Sequence, residues 1–166
     1  MKSKPVYAAL EPDESARRHL VLALGPEGLK AAQRFRAAYP GADAAVLALG
    51  DQADWENTFS QASEDAGMDT AFYLAGPEVF LWQAANMLRA AGAENSRIRQ
   101  HLAGSVARRV YCVHCRTVSE QVTTALHCCA GCGLTLTVRD HFSRPLAAYM
   151  GVIADPEALH LEAVCK

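Results

Sequence analysis

Four cysteines carry the most legible chemistry in this chain. Cys112 and Cys115 form one Cys-x-x-Cys pair, Cys129 and Cys132 form another, and thirteen residues lie between the pairs. A pair at this spacing turns the backbone so that both thiolates face one way. Two such pairs can close a four-thiolate tetrahedron around a metal, with metal to sulfur distances of about 2.3 Å. Of the six cysteines in the chain, Cys128 and Cys165 remain. Cys128 can stand in for Cys129, although only Cys129 keeps the two-residue spacing to Cys132, and Cys165 is expected to be a free, inert thiol. Disulfides are the competing chemistry, and a reducing cytosol and the vicinal Cys128-Cys129 both weigh against them. Zinc is favoured over iron, because a glycine, Gly133, follows the second pair as redox iron sites prefer, whereas Arg116 follows the first. A single iron on the same four thiolates is the alternative. His114 and His127 beside the pairs read as solvent-facing or supporting residues. The span 117–126 is expected to form the hairpin that brings the two pairs together.

The elements that position these thiols must fit into 166 residues, enough for one small domain and a metal-stapled module. Apolar residues make up 51%, but 31 of them are alanine, so large core side chains are scarce. Upstream of the cysteines, short apolar runs alternate with helical periodicity. Strands are expected at 19–24, 44–49 and 70–75, with an edge strand at 6–10. Helices are expected from Glu27 to Tyr39, from the Gly50-Asp51 turn through Trp55, Phe59 and Ala62, and from Glu78 toward Gly92. This pattern is α/β with a small parallel sheet over residues 1–105, followed by a four-cysteine β module over 106–166.

Gly-Pro-Glu occurs twice, at 25–27 and 76–78, each time between a strand and a helix. In an open α/β sheet those helix starts are where phosphates bind. Here they carry Glu27, Glu78 and the pair Asp51 and Asp54, acids that satisfy the helix dipole themselves and repel a phosphate. Neither Gly-x-Gly-x-x-Gly nor a Walker lysine is present, so no nucleotide or catalytic residues are assigned. The run Asp140-His141-Phe142-Ser143-Arg144 reads as a packed or interface loop, because adjacent residues cannot supply triad geometry. Trp82 reads as a partner anchor or as a half-buried residue packed against the cysteine module.

Charge is segregated. Asp43, Asp51, Asp54, Glu56, Glu64, Asp65, Asp69 and Glu78 fall in a stretch without lysine or arginine. Arg97, Arg99, Arg108, Arg109 and Arg116 then follow without an acid. These arginines offset the thiolate charge, meet an acidic partner, or pair with the chain's own acidic stretch. The net charge of −2 excludes bulk electrostatic binding to nucleic acid. No apolar run reaches the roughly 20 residues of a membrane span. The expectation is a cytoplasmic protein with neither a membrane nor a nucleic acid as partner.

The stretch Phe-Tyr-Leu-Ala-Gly-Pro-Glu-Val-Phe-Leu-Trp, 72–82, with its helix ending in Leu-Arg-Ala-Ala-Gly-Ala, resembles the last strand and helix of ferredoxin-reductase nucleotide domains. Ala75 stands where those domains carry cysteine. With Tyr-Cys-Val-His-Cys at 111–115, Cys-Cys-Ala-Gly-Cys-Gly-Leu at 128–134 and Asp-His-Phe-Ser-Arg-Pro-Leu-Ala-Ala-Tyr-Met-Gly-Val at 140–152, nearly the whole chain resembles the small subunit of bacterial dimethylamine monooxygenases. That resemblance implies a degenerate reductase-like α/β domain and a rubredoxin-like or zinc-ribbon module whose metal ligands match Cys112, Cys115, Cys129 and Cys132. It implies an accessory or electron-coupling subunit of an NADPH-dependent enzyme that converts dimethylamine to methylamine and formaldehyde. Heme, FMN with a [2Fe-2S] cluster, and tetrahydrofolate chemistry are then expected on partner subunits. A rubredoxin-type electron carrier and a stand-alone zinc-ribbon interaction module are the alternatives.

Overall fold

The computed structural model describes residues 4–42, 44–49, 55–64, 66–67 and 69–154. Asp43, Gly50, Asp51, Asp54, Asp65 and Cys165 lie outside the described residues. The chain divides into two compact units, one of residues 7–105 and one of residues 106–154 together with 4–6.

The first unit alternates strand and helix: β1 (Arg18–Leu24), α1 (Gly25–Ala38), β2 (Ala45–Leu49), α2 (Trp55–Glu64), β3 (Thr70–Gly76), α3 (Glu78–Ala90) and β4 (Ile98–Leu102). The four strands are parallel, in the order β2-β1-β3-β4. The period of two along each strand sorts its side chains between two cores. Leu22, Phe72 and Leu74 pack with Phe59, Phe80, Leu81 and Leu88 of α2 and α3. Val21, Ala23, Ala71, Tyr73 and Ala75 pack with Ala32 and Phe35 of α1. The abundant alanine now has a place: small residues on β1, β3 and α1 let the helix lie close to the sheet.

Strand order reverses between β1 and β3, and both Gly-Pro-Glu turns stand at that switch point. Gly25 has a φ of 73°, a conformation that suits glycine, and Pro26 then starts α1. Glu27 and Glu78 occupy the first turns of α1 and α3, and Arg36 and Arg89 the last turns, matching the helix dipoles. Glu27 pairs with Lys30 at 2.6 Å. Glu78 is buried and accepts a hydrogen bond from the Tyr7 hydroxyl at 2.8 Å.

Several expectations are corrected. Residues 6–10 form no strand, and Val6 is almost fully exposed. Tyr7 instead ties this segment down by side-chain bonds: the Trp82 Nε1–H donates to its oxygen at 2.8 Å. Trp82 is therefore buried and hydrogen-bonded, not a surface anchor. β4 was not anticipated, because Ile98-Arg-Gln-His-Leu is too polar to read as an apolar run. Its alternation is nevertheless that of an edge strand, with Ile98 and Leu102 against the α3-side core and Gln100 bonded to the Leu81 carbonyl at 2.7 Å.

In the second unit β5 (Arg108–Cys112), β6 (Val118–Val122), β7 (Leu126–Cys128), β8 (Thr135–Ser143) and β9 (Ala148–Ile153) form one sheet in the order β6-β5-β9-β8-β7. The span 117–126 is not a hairpin: β6 pairs with β5, whereas β7 pairs with β8 on the other edge. Each cysteine pair is itself the turn of a hairpin. Asp140 to Ser143 belong to β8, where Phe142 is buried against Tyr149 at a ring separation of 4.9 Å and Asp140 and His141 are exposed. Residues 140–143 are therefore strand, and Arg144 begins the turn to β9.

One close contact underlies the α/β packing. A Cβ added to Gly28 would stand 2.4 Å from the Ala75 carbonyl oxygen, which is backbone and cannot swing aside. Gly28→Ala should lower the unfolding free energy by about 1–3 kcal/mol, read as a shifted urea midpoint. An unchanged midpoint would contradict this packing.

Candidate metal centre

The two knuckles are the same turn, seventeen residues apart. Cys112 N–H donates to the Thr117 carbonyl at 2.9 Å, and Cys129 N–H to the Leu134 carbonyl at 3.0 Å. Arg116 N–H returns to the Cys112 carbonyl at 2.9 Å, and Gly133 N–H to the Cys129 carbonyl at 2.8 Å. Arg116 and Gly133 both take left-handed backbone angles, with φ of 66° and 70°. Arg116 thus fills the place of a glycine, and the asymmetry that favoured zinc on sequence grounds vanishes in the backbone.

These turns bring the four sulfurs Cys112, Cys115, Cys129 and Cys132 within 4.8 Å of one another, an arrangement able to hold a metal ion. Cys112 Sγ lies 3.9 Å from Cys132 Sγ, and Cys115 Sγ lies 3.5 Å from Cys129 Sγ. A regular tetrahedron with arms of about 2.3 Å has edges of about 3.8 Å, so the donor set fits a thiolate-bound ion of the zinc or iron type. Both close pairs join one knuckle to the other. Cys112 and Cys129 are buried with Leu136, while Cys115 and Cys132 are half-exposed. Cys128, exposed on β7 next to buried Cys129, does not belong to the group. His114 is exposed and His127 half-buried, and neither joins the four thiols.

Polar groups around the sulfurs set their proton affinities. The Thr117 hydroxyl, with the Thr117 amide, holds the Cys115 thiol down at about 6. The Leu134 amide acts the same way on Cys132, but burial and the three neighbouring thiols outweigh it and push that thiol up to about 12. Burial raises Cys112, against the pull of the Cys115 and His114 amides.

Thr117 also locks the two knuckles together. Its Oγ1 lies 3.3 Å from Cys115 Sγ, and a Cβ on Gly131 would fall 2.0 Å from that oxygen. Only glycine at 131 lets the second knuckle approach. This contact between residues fourteen apart has no signature in the Cys-x-x-Cys spacing.

Three of the five arginines have local partners among the described residues. Arg109 pairs with Glu120 at 3.0 Å, and Arg99 with Asp13 at 3.4 Å. Arg108 donates to the Thr124 carbonyl at 2.7 Å and lies over the Tyr149 ring. Glu120 and Asp13 both lie outside the acidic stretch.

An open parallel α/β unit accompanied by a four-thiol β module defines the class of protein. Residues 109–152 match the family model described as dimethylamine monooxygenase subunit DmmA-like, C-terminal domain. Over 158 residues the chain is 32% identical to the heme-dependent oxidative N-demethylase delta subunit of Ectopseudomonas mendocina (strain ymp), covering 93% of this chain and 90% of that protein. The chain therefore belongs to this family of DmmA-like subunits. No solved structure matches it.

Three outcomes follow for the centre. Cys129→Ser should abolish stoichiometric metal binding and Cys128→Ser should retain it, as elemental analysis reads. Gly131→Ala should weaken metal binding, and adding Thr117→Ala should restore part of the loss; a Gly131→Ala protein with wild-type affinity in a chelator competition would contradict the Thr117 lock. Because Cys112 and Cys132 hold their protons at neutral pH, metal uptake releases protons. Affinity should accordingly fall on acidification by roughly tenfold per pH unit for each proton released, as chelator competition at two pH values measures.

Proposed function

We propose that this chain is an accessory subunit of a multicomponent oxidative N-demethylase acting on dimethylamine, with a structural zinc on Cys112, Cys115, Cys129 and Cys132. The observation that carries this reading is the 32% identity, over nearly the whole of both chains, to a delta subunit of a heme-dependent oxidative N-demethylase. In this reading the heme, the flavin with its iron-sulfur cluster, and the folate chemistry belong to partner subunits, NADPH supplies the electrons, and the complex works in the cytoplasm. Among the described residues no helix is long and apolar enough to cross a membrane.

The α/β unit serves as a reductase-like scaffold without nucleotide chemistry. Glu27 and Glu78 occupy the two helix starts at the switch point of the sheet, where a nucleotide phosphate would otherwise sit. The zinc supplies folding energy, on the order of 10 kcal/mol for a structural site. The Thr117 hydroxyl and amide favour the thiolate form of Cys115.

A second reading places one iron on the same thiolates and makes the module an electron carrier. The half-exposure of Cys115 and Cys132 favours it, as does the glycine-like backbone after both pairs.

Co-expression with the other subunits of an oxidative N-demethylase tests the subunit assignment. The expected result is co-purification, with dimethylamine-dependent NADPH oxidation falling at least about tenfold when this chain is left out. A fully active complex assembled without it would contradict the assignment. A colourless preparation containing zinc supports the structural reading, and a red one with iron at one per chain supports the carrier.

A further inference from the structure

The two knuckles share a backbone but not their side chains. Seventeen residues apart, Val113 matches Ala130, His114 matches Gly131 and Arg116 matches Gly133. The second knuckle thus completes the turn with nothing larger than a methyl group at these places. Thr117 forces Gly131, and Gly133 suits its φ of 70°. Arg116 holds the same left-handed angle, 66°, a conformation that strains any residue with a Cβ and is free to glycine. The turn therefore requires none of the three larger side chains. All three are exposed, Val113 at 47%.

The module offers Arg116 no partner of its own. Its described residues carry six lysines and arginines against two acids, Glu120 and Asp140. Arg109 holds Glu120 at 3.0 Å, and Lys4 holds Asp140 at 3.4 Å. Among the described residues the Arg116 guanidinium makes neither an ion pair nor a hydrogen bond. Offsetting the thiolate charge is the one local role left to it. The second knuckle does without such a cation, although its Cys132 is half-exposed like Cys115.

A guanidinium is a planar fork that matches a carboxylate, and arginine is enriched where protein surfaces meet. The positive excess of the module selects an acidic counterpart, and an exposed valine beside the arginine suits a protein surface. We propose that the tip of the first knuckle, Val113, His114 and Arg116, docks on an acidic face of another subunit of the N-demethylase. A carboxylate of that subunit pairs with the Arg116 guanidinium, and its neighbouring apolar surface covers Val113. The proposal rests on the subunit assignment and is independent of whether the four thiolates hold zinc or iron.

The test measures the affinity of the full, metal-loaded chain for the remaining subunits of an oxidative N-demethylase, co-expressed without it, at low and high salt. Wild-type binding should weaken with salt. Arg116→Gly should bind at least about tenfold more weakly and with a shallower salt dependence. Its metal affinity and melting temperature should hold, because the second knuckle already folds with glycine at that place, and this separates lost docking from lost fold. Arg34→Gln, exposed on α1, removes the same charge from the other unit and should bind as the wild type does. A wild-type chain that does not bind overturns the subunit assignment and the proposal with it. Wild-type binding that Arg116→Gly leaves undiminished, or that Arg34→Gln weakens equally, overturns the proposal alone. Metal affinity that falls together with partner affinity in Arg116→Gly would also overturn it, returning Arg116 to the thiolate charge.

Discussion

The C-terminal unit depends on the convergence of two thiol pairs carried by hairpins at opposite ends of one sheet. β5 and β6 supply Cys112 and Cys115, β7 and β8 supply Cys129 and Cys132, and β9 lies between the two hairpins. The Cys112–Cys132 and Cys115–Cys129 sulfur contacts, at 3.9 and 3.5 Å, run from one hairpin to the other. Little else is available at this end: the buried cluster there consists of Cys112, Cys129 and Leu136, with Leu134 and the other two thiols packed against it. Val110, Val138, Phe142 and Tyr149 bury apolar surface elsewhere in the sheet, and a thiolate-bound ion would add to it at this end. Thr117 and Gly131 then fix how closely the knuckles approach.

The α/β unit solves its own packing problem differently. Alanine and glycine at the α1 interface allow backbone to approach backbone, and Gly28 against Ala75 is the tightest case. Leu22, Phe72 and Leu74 face the other way, under α2 and α3, while Phe35 and Tyr73 stay on the α1 side. At the switch point the acids of the two Gly-Pro-Glu turns are engaged inside the unit, Glu27 by Lys30 and Glu78 by Tyr7. A fold whose ligand edge is filled by its own carboxylates suits a supporting role in a larger enzyme better than nucleotide chemistry.

What the sequence disclosed, and what it hid, divides along local and tertiary lines. Strands β1, β2 and β3, their helices and the four thiols were legible because period-two runs, glycine-proline punctuation and Cys-x-x-Cys spacing are local signals. β4 was hidden because an edge strand needs only one apolar face, and Ile98 and Leu102 are spaced among polar residues. The hairpin assigned to 117–126 was misplaced because each knuckle is already a turn, leaving the strand between them free to pair outward. Trp82 was misread because its partner, Tyr7, is 75 residues away. The glycine-like backbone of Arg116 has no compositional sign at all.

The central claim is that all four cysteines bind one metal ion. X-ray absorption at the metal edge of the purified chain tests it most directly. Four sulfur scatterers at about 2.3 Å, with no nitrogen or oxygen in the inner shell, are expected. An inner shell containing a light-atom ligand, or fewer than four sulfurs, would contradict the account.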